Sequence, residues 1–161
     1  GTRGAGYRAM MDAFDVGRML VCASSLGLAE AAMDDAVRHA VNRKSFGAPL
    51  ASLPQIQEKL TDMEVKIRAM RAIIYQTADQ MDAGEDSRLS ASLAKRMVPR
   101  AATEIASEAL QIFGGLGYSE LTRVGRIWND CRGNQLAQGT DEIMVRIASK
   151  RIVEGYMEGI L

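Results

Sequence analysis

The chain has 161 residues, 20 Lys and Arg against 20 Asp and Glu, 3 prolines and 10 methionines. That length is enough for one domain with a sizeable core, and the charge balance excludes a global basic field for nucleic acid. No run of about 18 apolar residues offers a membrane span, and Cys22 and Cys131 match no metal or redox spacing, which points to unpaired thiols in a reducing, cytoplasmic-type compartment and to no metal site.

Few prolines, many Ala, Leu and Met, and β-branched residues that do not alternate predict an all-α chain. The entry Gly1-Thr2-Arg3-Gly4-Ala5-Gly6 has no apolar core and reads as a linker or domain junction. From Tyr7 to Asn42 one long helix is expected, its Leu26, Ala29, Met33, Ala36 and Ala40 spaced at three and four. The only histidine, His39, is expected on its solvated face. Gly47 and Pro49 stop this helix. The loop Arg43-Lys44-Ser45-Phe46-Gly47 sets two cations and a hydroxyl beside an aromatic ring. It suits either a diphosphate with a stacked ring or a charged helix end with one buried aromatic.

The second helix is expected over Pro54 to Asp82, with Pro54 at its first position. Its stripe Ile56, Leu60, Met63, Ile67, Met70, Ile74, Thr77 and Met81 is the cleanest amphipathic signal in the chain. Lys59, Asp62, Lys66 and Arg71 fall off the stripe and read as a solvated face. A third helix spans about Ser87 to Phe113, with Leu89, Leu93, Met97, Ala101, Ile105 and Ile112 on one side. Pro99 inside it predicts a kink or a delayed start. The following Gln111-Ile112-Phe113-Gly114-Gly115-Leu116-Gly117-Tyr118 makes a Gly-Gly corner. It serves either as a flat peptide surface for a ligand or as a glycine cap with a mobile turn.

A short fourth helix is expected from Thr122 to Cys131, burying Val124, Ile127 and Trp128. Its arginines 123, 126 and 132 lack the aromatic interleaving of a nucleic-acid surface. The last helix covers Asp141 to Met157. Before it stands Leu136-Ala137-Gln138-Gly139-Thr140-Asp141-Glu142-Ile143. Thr140 is expected to cap the helix through its side-chain oxygen, with Asp141 and Glu142 in the first turn, where negative charge suits the dipole. The turn before it would hold Gln138 at a fixed point. Four long helices and one short one imply an antiparallel four-helix-bundle-like domain over residues 7–161.

Four motifs, Arg43-Lys44-Ser45-Phe46-Gly47, Leu60-Thr61-Asp62-Met63, Gln111 to Tyr118 and Gln138-Gly139-Thr140-Asp141-Glu142-Ile143, follow one another in an order and spacing that resembles the C-terminal helical domain of flavin-dependent acyl-CoA dehydrogenases. The resemblance covers essentially the whole chain. It implies α,β-dehydrogenation of acyl thioesters with FAD, in a longer protein that also has an N-terminal helical domain and a middle β-domain. Arg43 and Ser45 match positions at the FAD diphosphate, and Phe46 an aromatic packed on the cofactor. Gln111, Gly114 and Gly115 match the segment that receives the adenine-nucleotide end of an FAD held largely by a neighbouring subunit. Thr140 and Glu142 match positions near the flavin. Asp15, Arg18 and Gly139 match positions toward the acyl-CoA. The implied assembly is a homodimer or tetramer, or a hetero-oligomer with a related subunit, and the implied redox partner is an electron-transferring flavoprotein. No nucleic acid and no membrane is implied.

The departures fall at the chemistry. Most of the family carries a glutamate before the Gly-Thr pair as the base that removes the α-proton, and this chain has Gln138. A minority places the glutamate on the first helix, one residue before the arginine, and this chain has Gly17. Pro54 and Asn129 replace a flavin-contacting glutamine and an arginine common in the family. The resemblance therefore leaves three readings open: an inactive subunit paired with an active relative, an enzyme with another base such as Asp15 or Glu142 or with different flavin chemistry, and a binding site that lost its base.

Overall fold

The computed structural model describes residues 1–159, with the side chain of Asp12 left out. The elements run α1 (Gly6–Asn42), a two-strand ribbon β1 (Lys44–Ser45) and β2 (Ala48–Pro49), a 3-10 turn (Leu50–Ser52), α2 (Pro54–Asp82), α3 (Arg88–Phe113), α4 (Gly115–Tyr118), α5 (Val124–Leu136) and α6 (Asp141–Met157). Helix is thus the dominant structure, and short connections make sequential helices antiparallel neighbours.

Helix α3 is the centre, packed against α1, α2, α5 and α6. Its buried face is built from small residues, Ala91, Ala94, Ala101, Ala102, Ala106 and Ala109, with Val98, Ile105 and Ile112 between them. On α1 the stripe Ala29, Ala32, Ala36 and Ala40 is fully buried. Two such alanine faces let helix axes approach closely, since side-chain size sets the spacing. Met63, Ile67 and Met70 of α2 fill the remaining gaps, as flexible thioethers do. Helix α1 also passes a length-and-composition test for a membrane span. The helix carries Arg18 and Glu30, and Cys22, Ala29, Ala32, Ala36 and Ala40 on its buried face belong to the hydrophobic core.

Several expectations change. Helix α3 runs through Pro99 without a break and starts at Arg88. Proline removes only its own donor, which orphans the Lys95 carbonyl and leaves the rest of the ladder intact; the Pro99 carbonyl additionally accepts from Thr103 Oγ1 and Gln135 Nε2, at 2.8 and 3.5 Å. On the same helix Leu93 is 38% exposed, because the buried stripe is the alanine one. Helix α5 continues past Cys131 to Leu136. Lys59, Lys66 and Arg71 of α2 are not simply solvated: they pair with Glu108, Glu104 and Glu30 on α3 and α1. Such partly exposed pairs contribute about 0–1 kcal/mol each and serve register more than stability.

Both thiols are buried and free. Burial pushes Cys22 up to about 12, against the opposing pull of the Lys95 ammonium. Burial, with Asp130 adding to it, pushes Cys131 up to about 11. Each pKa is raised by folding, so this stabilisation is complete below the ordinary thiol value and is lost as pH rises from about 9 toward 11–12, at about 1.4 kcal/mol per pH unit per thiol. Lys95, shifted downward by its burial, works against that trend. The urea midpoint is expected to fall between pH 9 and 10.5, and replacing both cysteines by alanine should flatten the fall. An unchanged slope in the double variant would contradict the assignment.

Candidate functional site

The sequence-marked residues gather at two places along α1. Gly17 and Arg43 bracket them, about 39 Å apart at 1.5 Å per helical residue.

The first place is the C-terminal end of α1. Arg43 caps the helix, its N–H bonding the His39 carbonyl at 2.8 Å and its own carbonyl accepting from Leu50 N–H at 2.8 Å. The loop then folds into the ribbon, Lys44 opposite Pro49 and Ser45 opposite Ala48, a feature that two-residue strands leave invisible to periodicity. Phe46 sits at the tip with φ 53° and is fully exposed, so the ring is not the buried aromatic of one expectation. A non-glycine residue held in this region is strained by about 1–3 kcal/mol. His39 is also corrected: it is half-buried, stacked on Phe113 with ring centroids 4.2 Å apart. Burial first, then the Arg43 guanidinium, lowers its pKa, so it is neutral at pH 7.

Phe113 ends α3, and the stack therefore fixes the Gly-Gly corner beside the Arg43 loop. Gly114 has φ 62° and ψ −142°, and its N–H bonds the carbonyls of Leu110 and Gln111. The next turn is helical rather than mobile: α4 packs so closely that a Cβ on Gly117 would lie 2.7 Å from Phe113 Cβ and 2.9 Å from the Leu110 carbonyl. Arg123 clamps the loop after α4 to α1, bonding both oxygens of Asp35 at 2.7 and 3.0 Å. Between these elements opens a groove of about 1190 Å³ whose wall includes Gln111, Gly114, Gly115, Arg126, Trp128 and Asn129. Trp128, expected in the core, is 38% exposed and faces this groove. A Cβ on Gly114 or Gly115 would meet nothing within 4 Å, so bare peptide surface is open to a ligand.

The second place is the turn between α5 and α6, lying over the N-terminal half of α1. Gln138 has φ 54° and Gly139 φ 104°. Phe46 and Gln138 are the two non-glycine residues with positive φ among the described residues, and both belong to sequence-marked motifs. The Gln138 carboxamide lies over Gly17: a Cβ on Gly17 would stand 3.0 Å from Oε1 and 3.1 Å from Cδ. The two positions that the sequence resemblance marks for a base thus face each other, and neither offers a carboxylate.

Thr140 precedes α6 as its cap residue, but its side chain makes no capping bond. The Thr140 hydroxyl is instead the main cause holding the Glu142 carboxyl below its usual value. Asp141 pairs with Arg100 at 3.3 Å. On α1, Arg18 is 5% exposed. It pairs with Asp15, and Arg88 reaches the other Asp15 oxygen at 3.3 Å. Asp15 therefore has both oxygens engaged by guanidinium groups, and Glu142 is exposed and made less basic. Neither is presented as a base. The Nε of Arg18 has no partner among the described residues.

The sequence reading missed Lys95. It is fully buried, and its ammonium donates to the carbonyls of Gly139 at 3.1 Å and Gln135 at 3.4 Å. A signal existed: Ala91, Lys95, Val98 and Ala102 step by four, three and four along the buried stripe of α3. Gln135 and Asn134 were missed as well, and they tie the end of α5 to Thr103 at 2.7 Å and Ser25 at 3.0 Å.

A bundle with two loop-built polar ends, each open to one side, defines an all-α domain that carries parts of sites. The family pattern described as "Acyl-CoA dehydrogenase, C-terminal domain" matches residues 4–153. "Probable acyl-CoA dehydrogenase YdiO" of Escherichia coli strain K12 is 42% identical over 97% of this chain, which spans 41% of that protein. Two solved structures superpose closely: an acyl-CoA dehydrogenase from Slackia heliotrinireducens (TM-score 0.90, 49% identity, 94% of this chain and 40% of that one) and butyryl-CoA dehydrogenase from Megasphaera elsdenii (TM-score 0.93, 37% identity, 95% and 40%). The chain belongs to the acyl-CoA dehydrogenase family, as its C-terminal helical domain. It spans about two fifths of the length of these relatives.

Proposed function

We propose that this domain forms one wall of the FAD and acyl-CoA sites of an acyl-CoA-dehydrogenase-type oxidoreductase, and builds part of its oligomer. The observation that carries this reading is the division of the site residues into two groups about 39 Å apart on α1. One chain cannot close them around one ligand, whereas a second copy that sets its Arg43 end against the Gln138 end of the first can. The residues at each end fit their assigned ligands. Arg43 caps α1, and Ser45 and the exposed Phe46 follow on the ribbon, while Gln111, Gly114 and Gly115 line the groove at the end of α3. Guanidinium and bare peptide N–H groups are the chemistry that recognises a diphosphate, and an exposed ring suits stacking.

When bound, FAD would supply the two-electron acceptor for the β-hydride of an acyl thioester. The chain's own contribution is at the turn. Gly139 brings backbone beside the thioester, Thr140 and Glu142 stand toward the flavin, and Gln138 orients its carboxamide over Gly17. An amide donates and accepts hydrogen bonds but does not take up a proton at neutral pH. Asp15 and Arg18, locked together, form the floor toward the acyl-CoA. An electron-transferring flavoprotein is the proposed redox partner, and the two buried free thiols support a reducing, cytoplasmic-type compartment.

One observation favours a second reading. With an amide at 138 and no side chain at 17, the chain suits a non-catalytic subunit that lends its cofactor-binding edge to a related, glutamate-bearing partner. Purified full-length protein separates the two. Titration with a short acyl-CoA under anaerobic conditions should shift the flavin absorbance band, reporting thioester binding beside the cofactor. A flavin-loaded protein whose spectrum ignores every acyl-CoA offered would contradict the dehydrogenase-type site.

A further inference from the structure

We infer that Lys95 is the positioning residue of the Gln138 turn: its buried ammonium, bonded to the carbonyls on both sides of Gln138, holds that residue in its left-handed conformation and so sets where the 138 side chain points. The inference rests on the reading of this turn as part of the thioester site, and its geometry stands independently of that reading.

Gln138 has φ 54°, a conformation that costs a non-glycine residue free energy and persists only where the surroundings over-determine it. The surroundings here are specific. Lys95 donates to the carbonyls of Gly139 at 3.1 Å and Gln135 at 3.4 Å, one residue after Gln138 and three before it. These two bonds span the last turn of α5 and the reversal into α6. The Gln135 carbonyl belongs to the C-terminal turn of α5, where carbonyls lack helical partners and the dipole is negative. A cation there satisfies both needs. One face of α3 repeats the grip at four-residue intervals: Lys95 holds the backbone, and Pro99 and Thr103 hold the Gln135 side chain.

The ammonium is an uncommon choice. Lys is almost never fully buried unless paired, and here its bonded partners are carbonyl dipoles rather than a carboxylate. Burial and three groups around it set its charge balance: burial lowers its pKa, Cys22 and Asp141 raise it, and Arg18 lowers it. A neutral side chain of similar length would fill the same space without these electrostatic demands, so packing does not explain the residue. Fixing two carbonyls that flank a strained position does.

The test uses full-length, flavin-loaded protein with Lys95→Met, which keeps the length of the arm and removes the donors, and Lys95→Gln, which keeps two donors on a shorter arm and serves if the methionine variant does not fold. Hydrogen exchange is read at the amides of residues 136–141 and across α1 and α3. The expected result is exchange at 136–137, the hydrogen-bonded amides at the end of α5, at least tenfold faster in Lys95→Met and less so in Lys95→Gln, with α1 and α3 unchanged, together with at least a tenfold weaker acyl-CoA dissociation constant at unchanged flavin content. Unchanged exchange at the turn, or a uniform rise over all helices, would overturn the inference, since the second is the signature of a merely structural lysine. A loosened turn with undiminished thioester affinity would overturn the positioning role. Exchange needs no substrate, so a protein that binds no acyl-CoA at all would fail the functional reading while still reporting on Lys95.

Discussion

Replacing Gln138 by glutamate is expected to raise the rate at which an acyl-CoA bleaches the bound flavin of the full-length protein by about 10²–10⁴-fold, the usual contribution of a positioned general base. The geometry for this gain is already present. Residue 138 is pinned at φ 54°, its carboxamide carbon stands 3.1 Å from where a Gly17 Cβ would be, and glutamate is nearly isosteric with glutamine. The substitution changes what the side chain can do with a proton and little else. The nearby carboxylates are engaged elsewhere: Asp15 is held by Arg18 and Arg88, Asp141 pairs with Arg100, and the Thr140 hydroxyl holds the Glu142 carboxyl below its usual value. Stopped-flow absorbance under anaerobic conditions reads the effect. A bleaching rate equal to that of the unmodified protein, with flavin still bound, would show that the seat of the base is not at 138.

Gly139→Ala is expected to destabilise the protein by about 2–4 kcal/mol and to displace the turn. Two independent effects add. At φ 104° an L side chain is strained, which costs about 1–3 kcal/mol. The new Cβ would also stand 2.8 Å from Met144 Cε, and Met144 is fully buried, so its movement disturbs the packing of α6, at about 1–3 kcal/mol for overpacking. The flexible thioether absorbs part of the second effect, which keeps the sum toward the lower half of the range. Urea unfolding measures it. A change under about 0.5 kcal/mol would mean that the backbone at 139 is freer than its angles imply. Because Gly139 also accepts from Lys95, the same variant should weaken thioester binding.

The helices were legible because their signals are local. The α2 stripe at three and four residues and the Pro54 start gave bounds that the structure reproduces, and α6 begins at Asp141, one residue past its threonine cap. The failures occur where non-local contacts decide. The fourth helix is expected to stop at Cys131, yet Lys95 and Thr103 of α3 bond Gln135, and the helix runs to Leu136. His39 has polar sequence neighbours, and its stacking on Phe113 depends on a residue 74 positions away. At the site, composition could flag the Arg43 loop and the Gln138 turn. It could not say that Gly17 and Gln138 touch, or that α1 separates the two groups by about seven helical turns. Lys95 was passed over because a charge within a helix is usually a solvated one, and only the four-three-four spacing of its apolar neighbours betrays its burial.

The arrangement of two half-sites is open to one decisive measurement, a structure of the full-length protein with FAD bound. One FAD should be touched at its diphosphate and adenine by Arg43, Gln111 and Gly114 of one copy, or of a related subunit, and approached at its flavin ring by Gln138, Gly139 and Thr140 of another. An FAD contacted by neither group, or by both groups of a single chain, would contradict the division of the site along α1.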